Sequence, residues 1–131
     1  HACDTATDVA IYKGVKADAE LIVCAPCCHK QVRKDMGSNS DFRAITKHGI
    51  FEERQAEMLT DAIRSLLMER EGYATKAFEF ISNEHTRKNL MLVGRRLKKS
   101  SDTSKIDRDI KKLKDAFLIK KQELEDLLAY S

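Results

Sequence analysis

The chain has 131 residues, 42% of them apolar and 34% charged, with a formal net charge of +3. That length suffices for one domain with a modest core, and so small a charge neither demands nor excludes nucleic acid, because phosphate binding needs a clustered basic face rather than a total. No apolar run approaches the ~18 residues of a membrane span, no secretory signal is visible, and cysteines at 3, 24, 27 and 28 do not suit a secreted disulfide framework, so a reducing, cytoplasmic setting is expected.

The chain opens His1-Ala-Cys-Asp-Thr-Ala-Thr-Asp8, already inside a motif and without an initiator methionine. The expectation is therefore that the first part of a larger protein is absent. Asp4 or Thr5 can cap a helix whose first turn carries Asp8, a favourable place for negative charge. Val9, Ala10, Ile11 and Val15 extend that helix to about Gly14 or Lys16. After a short link, Leu21–Ala25 has the length and makeup of a strand buried on both faces. Pro26 cannot extend a ladder, so the chain leaves the sheet there and runs into Cys27, Cys28, His29 and Lys30. Reactive side chains just past the carboxyl end of a buried strand sit where open α/β sheets keep their sites.

Residues 31–40 are polar and end in Gly-Ser-Asn-Ser, a loop signal. Asp41–His48 predicts a short helix closed by Gly49. Phe51–Glu71 is the clearest helix: Ala56, Leu59, Ala62, Ile63, Leu66 and Leu67 form one apolar stripe, and Gly72 stops it. Polar residues at its start, Glu53, Arg54 and Gln55, can face a site. Ala74–Ser82 and Asn89–Arg95 read as two strands of a hairpin. The segment 95–105 is a basic, serine-rich linker. Ser104-Lys-Ile-Asp107 resembles a capping box, and Ile106, Ile110, Leu113, Phe117, Leu124 and Leu127 predict one amphipathic helix to about Ala129, its spacing broken only by Lys120.

Four stretches carry a resemblance: H-A-C-D-T-A-T-D, then A-P-C-C-H-K, then H-G-I-x-x-E-R-Q-A-E-M-L-T-D, then F-E-F-I-S-N-E-H-T-x-K-N. In that order, over roughly residues 1–97, they resemble a family of S-adenosylmethionine-dependent methyltransferases. Its members include bacterial proteins and a domain of the eukaryotic glutathione S-transferase C-terminal-domain-containing protein. A weaker likeness is to tRNA 2′-O-methyltransferases, which carry C-G-x-A-T-D and C-C-H-H; here Asp4 replaces their glycine and Lys30 their second histidine.

The resemblance implies an α/β fold, the C-terminal half of a Rossmann-like class I methyltransferase sheet with strands 4-5-7-6 and strand 7 antiparallel, plus a C-terminal amphipathic helix. Residues 1–97 would form the partial methyltransferase domain and 98–131 the basic linker and helix. The glycine-rich cofactor loop and the ribose-binding acid would lie upstream of residue 1. An open strand-4 edge would be covered by the C-terminal helix or by a second copy in a homodimer. The implied cofactor is S-adenosylmethionine. The implied acceptor is an oxygen or nitrogen nucleophile, with RNA suggested by the weaker likeness. No membrane partner is expected, and the 131 residues alone are expected to be inactive.

On this map Asp4 and His29 are the catalytic candidates, and His1 and Asp4 would meet the cofactor. His1, Asp8, Cys27, Cys28 and His85 would line the acceptor. A carboxylate after strand 4 can orient an acceptor or take its proton; the plainer reading is that Asp4 and Asp8 only cap and charge a helix. Cys27, Cys28 and His29 admit three roles: acceptor lining, metal ligation with Cys24, and thiol chemistry with His29 or His85 as base. Finger-like ligand spacing is missing, so no metal is assigned. His85 lies in a polar hairpin loop whose plainer reading is solvated. The basic residues Arg95, Arg96, Lys98, Lys99, Lys105, Arg108, Lys111 and Lys112 can meet phosphate, or form a solvated face. The alternative to an enzyme is a non-catalytic interaction or dimerisation module.

Overall fold

The computed structural model describes residues 4–37, 40–81, 89–99 and 101–130. Thr5–Lys16 forms helix α1, Leu21–Cys24 strand β1 and Lys30–Met36 helix α2. A 3-10 turn at Ser40–Phe42 leads into a short helix α3, Arg43–Thr46, and the long helix α4, Gly49–Arg70. Strands β2, Tyr73–Glu79, and β3, Leu90–Arg96, follow, and then helices α5, Ser104–Ala116, and α6, Glu123–Ala129. None of the described helices is long and apolar enough to cross a membrane.

The three strands pair in the order β1-β3-β2, and β3 runs antiparallel to both neighbours. The mixed α/β class is therefore as expected. The described sheet has three strands, and the expected strand 4, placed at about residue 1, falls outside the described residues. Ile22, Gly94 and Thr75 share one row, and Cys24, Leu92 and Ala77 another, on the face that the helices cover. Gly94 lets α4 approach closely, since a Cβ there would stand 3.0 Å from Met68 Sδ. The other face carries Leu21 and Val23, 58% and 52% exposed, beside Val93, Met91 and Phe78. It is open among the described residues, so β1 is not buried on both faces as expected, and Arg95 and Lys76 stand in the same rows as Leu21 and Val23.

α4 is the central beam. It packs on α2, α5, β2 and β3, and its end is closed by Gly72 at φ +94°, a conformation that favours glycine. One core joins Ile11 of α1, Ile22 of β1, Ile63 and Leu67 of α4, Leu92 of β3, and Ile110, Leu124 and Leu128 of the last two helices.

Several stretches differ from expectation. Asp41–His48, read as one short helix closed by Gly49, holds the end of a 3-10 turn and α3, and Gly49 instead opens α4. The polar stretch expected over residues 31–40 is helical at its start: Lys30–Met36 forms α2, because Val32 and Met36 fall one turn apart and both are buried against α4. The single C-terminal helix is two helices. α5 ends at Ala116, and Leu118 takes φ +53° as Ile119 N–H donates to the Lys114 carbonyl. The apolar stripe then changes frame, with Ile119, Leu124 and Leu128 buried in place of a continued run from Phe117. The break is held from outside. Asp35 Oδ2 accepts from the N–H groups of Lys120 and Lys121 at 2.7 and 3.3 Å, and Gln31 Oε1 from Glu123 N–H at 3.0 Å. α5 packs on α4, and α6 on α1 and α4, so neither makes its main contacts with β1. The start of α5 also differs: Asp102, not Ser104, supplies the capping carboxylate, accepting from Ser104 N–H at 2.9 Å.

The break can be tested at Leu118, which is about half exposed. In a continuous helix, Leu118→Gly would cost about 1 kcal/mol. At φ +53° it is expected to be neutral or stabilising by up to ~1 kcal/mol, because glycine relieves a left-handed residue. Urea denaturation checks the sign.

Candidate functional site

The site begins where β1 ends. Pro26 is buried and offers no N–H, so pairing stops and residues 25–29 cross the end of the sheet before α2 starts. His29 occupies the N-cap position of α2 with no side-chain capping bond. Its ring turns inward instead and is 6% exposed.

Nε2 of His29 stands 3.1 Å from Oδ2 of Asp61 on α4. The other oxygen of Asp61 accepts from Arg64 Nη1 at 3.0 Å, one turn along the same helix. Arg64 is fully buried. Its Nε and Nη2 grip both oxygens of Asp8 at 2.9 Å each, and Nη2 also donates to the Asp4 carbonyl at 2.8 Å. Asp8 Oδ1 takes a further bond from Gln122 Nε2 at 2.9 Å, and Gln122 Oε1 caps α6 by accepting from Glu125 N–H. Burial by itself would lower the pKa of Arg64, but the hydrogen bonds and charge of Asp8, with those of Asp61, outweigh it and leave the value raised. A carboxylate can only accept, so in the neutral ring Asp61 places the proton of His29 on Nε2. Nδ1 is then a bare lone pair, and it has no hydrogen-bond partner among the described residues.

Asp4 sits just before α1 at φ 47°, ψ −122°, a conformation that costs an L-residue energy. It makes no capping bond to α1. Its carboxylate reaches across to α2 and accepts from Gln31 N–H at 3.4 Å. Arg64 on its carbonyl helps hold the strained turn in place. Asp4 and Asp8 thus do more than cap a helix: each is tied to another element.

Beside His29 and Asp61 lies a cleft of about 410 Å³ between α4 and the β2–β3 pair. Pro26, Met58, Ala62, Ala77 and Leu90 supply apolar wall, and Arg54, Glu57, Glu79 and Asn89 supply polar groups. Of the polar residues expected to face a site at the start of the long helix, Arg54 lines this cleft.

Cys27 is buried and Cys28 half-buried, with their sulfurs 3.6 Å apart. Cys24 donates to the Leu92 carbonyl at 3.7 Å. Burial pushes its thiol up to about 11; Arg64 pulls the other way, while Asp61 and Asp8 add to the rise. Among the described residues no group of three or more His, Cys, Asp or Glu side chains is placed to hold a metal ion. A second, basic cleft collects Arg95, Arg96, Lys98 and Lys99, but Glu20 and Glu71 line it too, and Arg96 is paired with Asp18 at 2.7 Å.

Of the residues expected from the sequence, Asp4, Asp8 and His29 come together through Arg64 and Asp61, while Cys27 and Cys28 precede His29 directly. His1 and His85 lie outside the described residues. Asp61, Arg64 and Gln122 were not anticipated. A signal for the first two existed: both fall on the same side of α4 as the buried stripe, where an unpaired charge is prohibitive.

With the geometry in hand, one comparison is positive. Residues 1–35 match the model of a methyltransferase domain family, which points to methyl transfer as the general chemistry. No curated protein and no solved structure matches the chain. The matched segment contains Asp4, Asp8 and the Cys-Cys-His run, and it ends before Asp61 and Arg64.

Replacing Arg64 by Met strands the carboxylates of Asp8 and Asp61 in the core. Arg64→Met is expected to cost about 3–5 kcal/mol in urea denaturation; a cost under about 1 kcal/mol would contradict the network described. The cysteines offer a second check. A thiol pKa raised to about 11 leaves Cys24 roughly one part in a thousand ionised at pH 8. Iodoacetamide at pH 8, read by peptide mass spectrometry, is expected to label half-buried Cys28 before buried Cys27 and to label Cys24 slowly. Labelling of Cys24 should accelerate about tenfold per pH unit above pH 8 and level off near pH 11.

Proposed function

We propose that the chain serves an S-adenosylmethionine-dependent methyltransferase and carries the acceptor side of its site. The observation that carries this reading is the methyltransferase-domain match over residues 1–35, which spans the segment that builds the Asp4–His29 region. The strand order adds support. In the class I sheet implied by the resemblance, strands 5, 7 and 6 are neighbours with strand 7 antiparallel between them, and β1, β3 and β2 have that order and those directions.

The residues present fit one end of the cofactor only. Asp4 lies where the resemblance brings the methyl end close, while the glycine-rich loop and the ribose-binding acid are not in these 131 residues. When bound, the cofactor supplies an electrophilic methyl group. The part of this chain is to hold an oxygen or nitrogen acceptor and to take its proton. His29, held by Asp61 at the wall of the cleft, is the candidate for that task, worth typically about 10²–10⁴-fold in rate. Cys27 and Cys28 flank it as lining. RNA as the acceptor rests on the weaker resemblance to tRNA methyltransferases. A cytoplasmic location is part of the same proposal and rests on the cysteine spacing in the sequence.

A second reading is a non-catalytic assembly module, favoured by the open apolar face of Leu21, Val23 and Phe78. Calorimetry separates the two. S-adenosylmethionine titrated into protein that joins this chain to a half bearing the glycine-rich loop is expected to bind, and the 131 residues alone to bind weakly or not at all. If the joined protein does not bind, the methyltransferase reading fails. Self-association of such a protein in light scattering then favours the module.

A further inference from the structure

Two sulfurs stand side by side in the segment that carries the chain across the end of the sheet. Cys27 is buried, Cys28 is half-buried, and their Sγ atoms are 3.6 Å apart. Both are thiols rather than disulfide partners. Proton transfer by His29 gives them no task beyond lining. They differ from Cys24, which donates to the Leu92 carbonyl and whose thiol burial pushes up to about 11, so that it stays protonated and slow to react. Reversible thiol oxidation needs one sulfur that a small oxidant reaches and a second beside it to resolve the product. Cys28, the more exposed of the two, supplies the first, and Cys27 supplies the second.

We propose that Cys27 and Cys28 form an oxidation site for peroxides, in which Cys28 takes the oxygen and Cys27 resolves it to a disulfide. The Cys28 thiolate attacks one oxygen of the peroxide and breaks the O–O bond. With hydrogen peroxide, the leaving hydroxide takes up the proton of the thiol and departs as water, and Cys28 is left as a sulfenic acid. The Cys27 sulfur then attacks the Cys28 sulfur. The S–OH bond breaks, and a second water leaves with the Cys27 proton. Two thiols and one hydrogen peroxide become one disulfide and two waters, so the peroxide is the whole oxidant.

Adjacency in the chain ties this site to His29. A disulfide needs its Cα atoms usually about 4.4–6.8 Å apart, whereas neighbours joined by a trans peptide hold theirs about 3.8 Å apart. Closure is therefore taken up by the backbone of residues 27 and 28, and the next residue is His29, which opens α2 and places Nε2 3.1 Å from Asp61 Oδ2. Hydrogen bonds are directional, so turning this backbone draws the ring off Asp61. A bond formed under such constraint is also readily reduced by thiols, which makes the modification reversible. Under the proposed methyl transfer, oxidation removes the group that takes the acceptor's proton, and that consequence rests on the methyltransferase reading. The oxidation itself does not.

The test uses the 131-residue chain, fully reduced, exposed to hydrogen peroxide, then denatured and alkylated with N-ethylmaleimide. Fragment-ion mass spectrometry is expected to show Cys27 and Cys28 joined, with two hydrogens lost and neither alkylated, while Cys24 takes the maleimide. Dithiothreitol should restore both thiols. In Cys27→Ser, dimedone should trap a sulfenic acid on Cys28, and in Cys28→Ser the oxidation of Cys27 should slow by about tenfold or more. The link to the site is read with ¹⁵N-labelled histidine: the side-chain resonances of His29 should move on oxidation and return on reduction. Cys27 and Cys28 both still alkylated after peroxide, or Cys28 joined instead to Cys3, Cys24 or a second chain, overturns the proposal. Unmoved His29 resonances overturn the link to His29. The measurements on the unaltered chain need no variant, so they decide the matter even if Cys27→Ser does not fold. No cofactor enters the experiment. A negative result leaves methyl transfer standing, and a positive one stands whether or not S-adenosylmethionine binds.

Discussion

Everything in this molecule that touches the site depends on one buried guanidinium. Arg64 is fully buried and holds carboxylates from two helices and a carbonyl from the turn before α1. A charge so placed is tolerable only because its donors are matched, and the matching is what aligns the elements. α1 is drawn to α4 through Asp8. The strained turn at Asp4 is fixed through its carbonyl. His29 is oriented through Asp61, and α6 is docked through Gln122. An apolar core of the same volume could hold the helices together as firmly. It would not set the ring of His29 in one orientation, and that is the specific contribution of the charged arrangement.

The contrast with the rest of the core is instructive. Ile11, Ile63, Leu67 and Leu92 pack without direction, so small shifts in helix position cost little until atoms collide. The Arg64 contacts fail with shifts well under an ångström, because hydrogen bonds are directional. The fold therefore combines a forgiving interior with a stringent one, and the stringent part lies at the carboxyl end of β1. The same logic applies on a smaller scale to α2. Its Gln31 and Asp35 bind the backbone of the break between α5 and α6, so two pieces with weak intrinsic helical signals support each other.

How far the sequence discloses this depends on whether a signal is local. The stripe from Ala56 to Leu67 and the apolar run Leu21–Ala25 are local patterns, and the helix and strand lie where those patterns put them to within a residue or two. α2 and the break at Leu118 are not local. Gln31 and Asp35 look like loop residues until the backbone they bind, some 85–92 residues away, is in view. In the site, His29 was legible because it follows Pro26 at a strand end. Its partner Asp61 is 32 residues distant on a helix whose apolar stripe drew attention to its leucines. Arg64 and Asp61 do interrupt the buried side of that helix, and a charge there is itself a signal that something opposite must pair with it.

The bond from Gln122 to Asp8 has a consequence for how the protein comes into being. It spans 114 positions, joining an early residue to one near the far end of this sequence. A chain emerging from a ribosome can form α1, β1 and α4 while Asp8 still lacks one of its partners, and the capping bond of α6 waits on the same glutamine. Closing so large a loop costs entropy before its contacts repay it. The full pairing of Asp8 is thus expected to follow the local helices, since it waits on a residue 114 positions away.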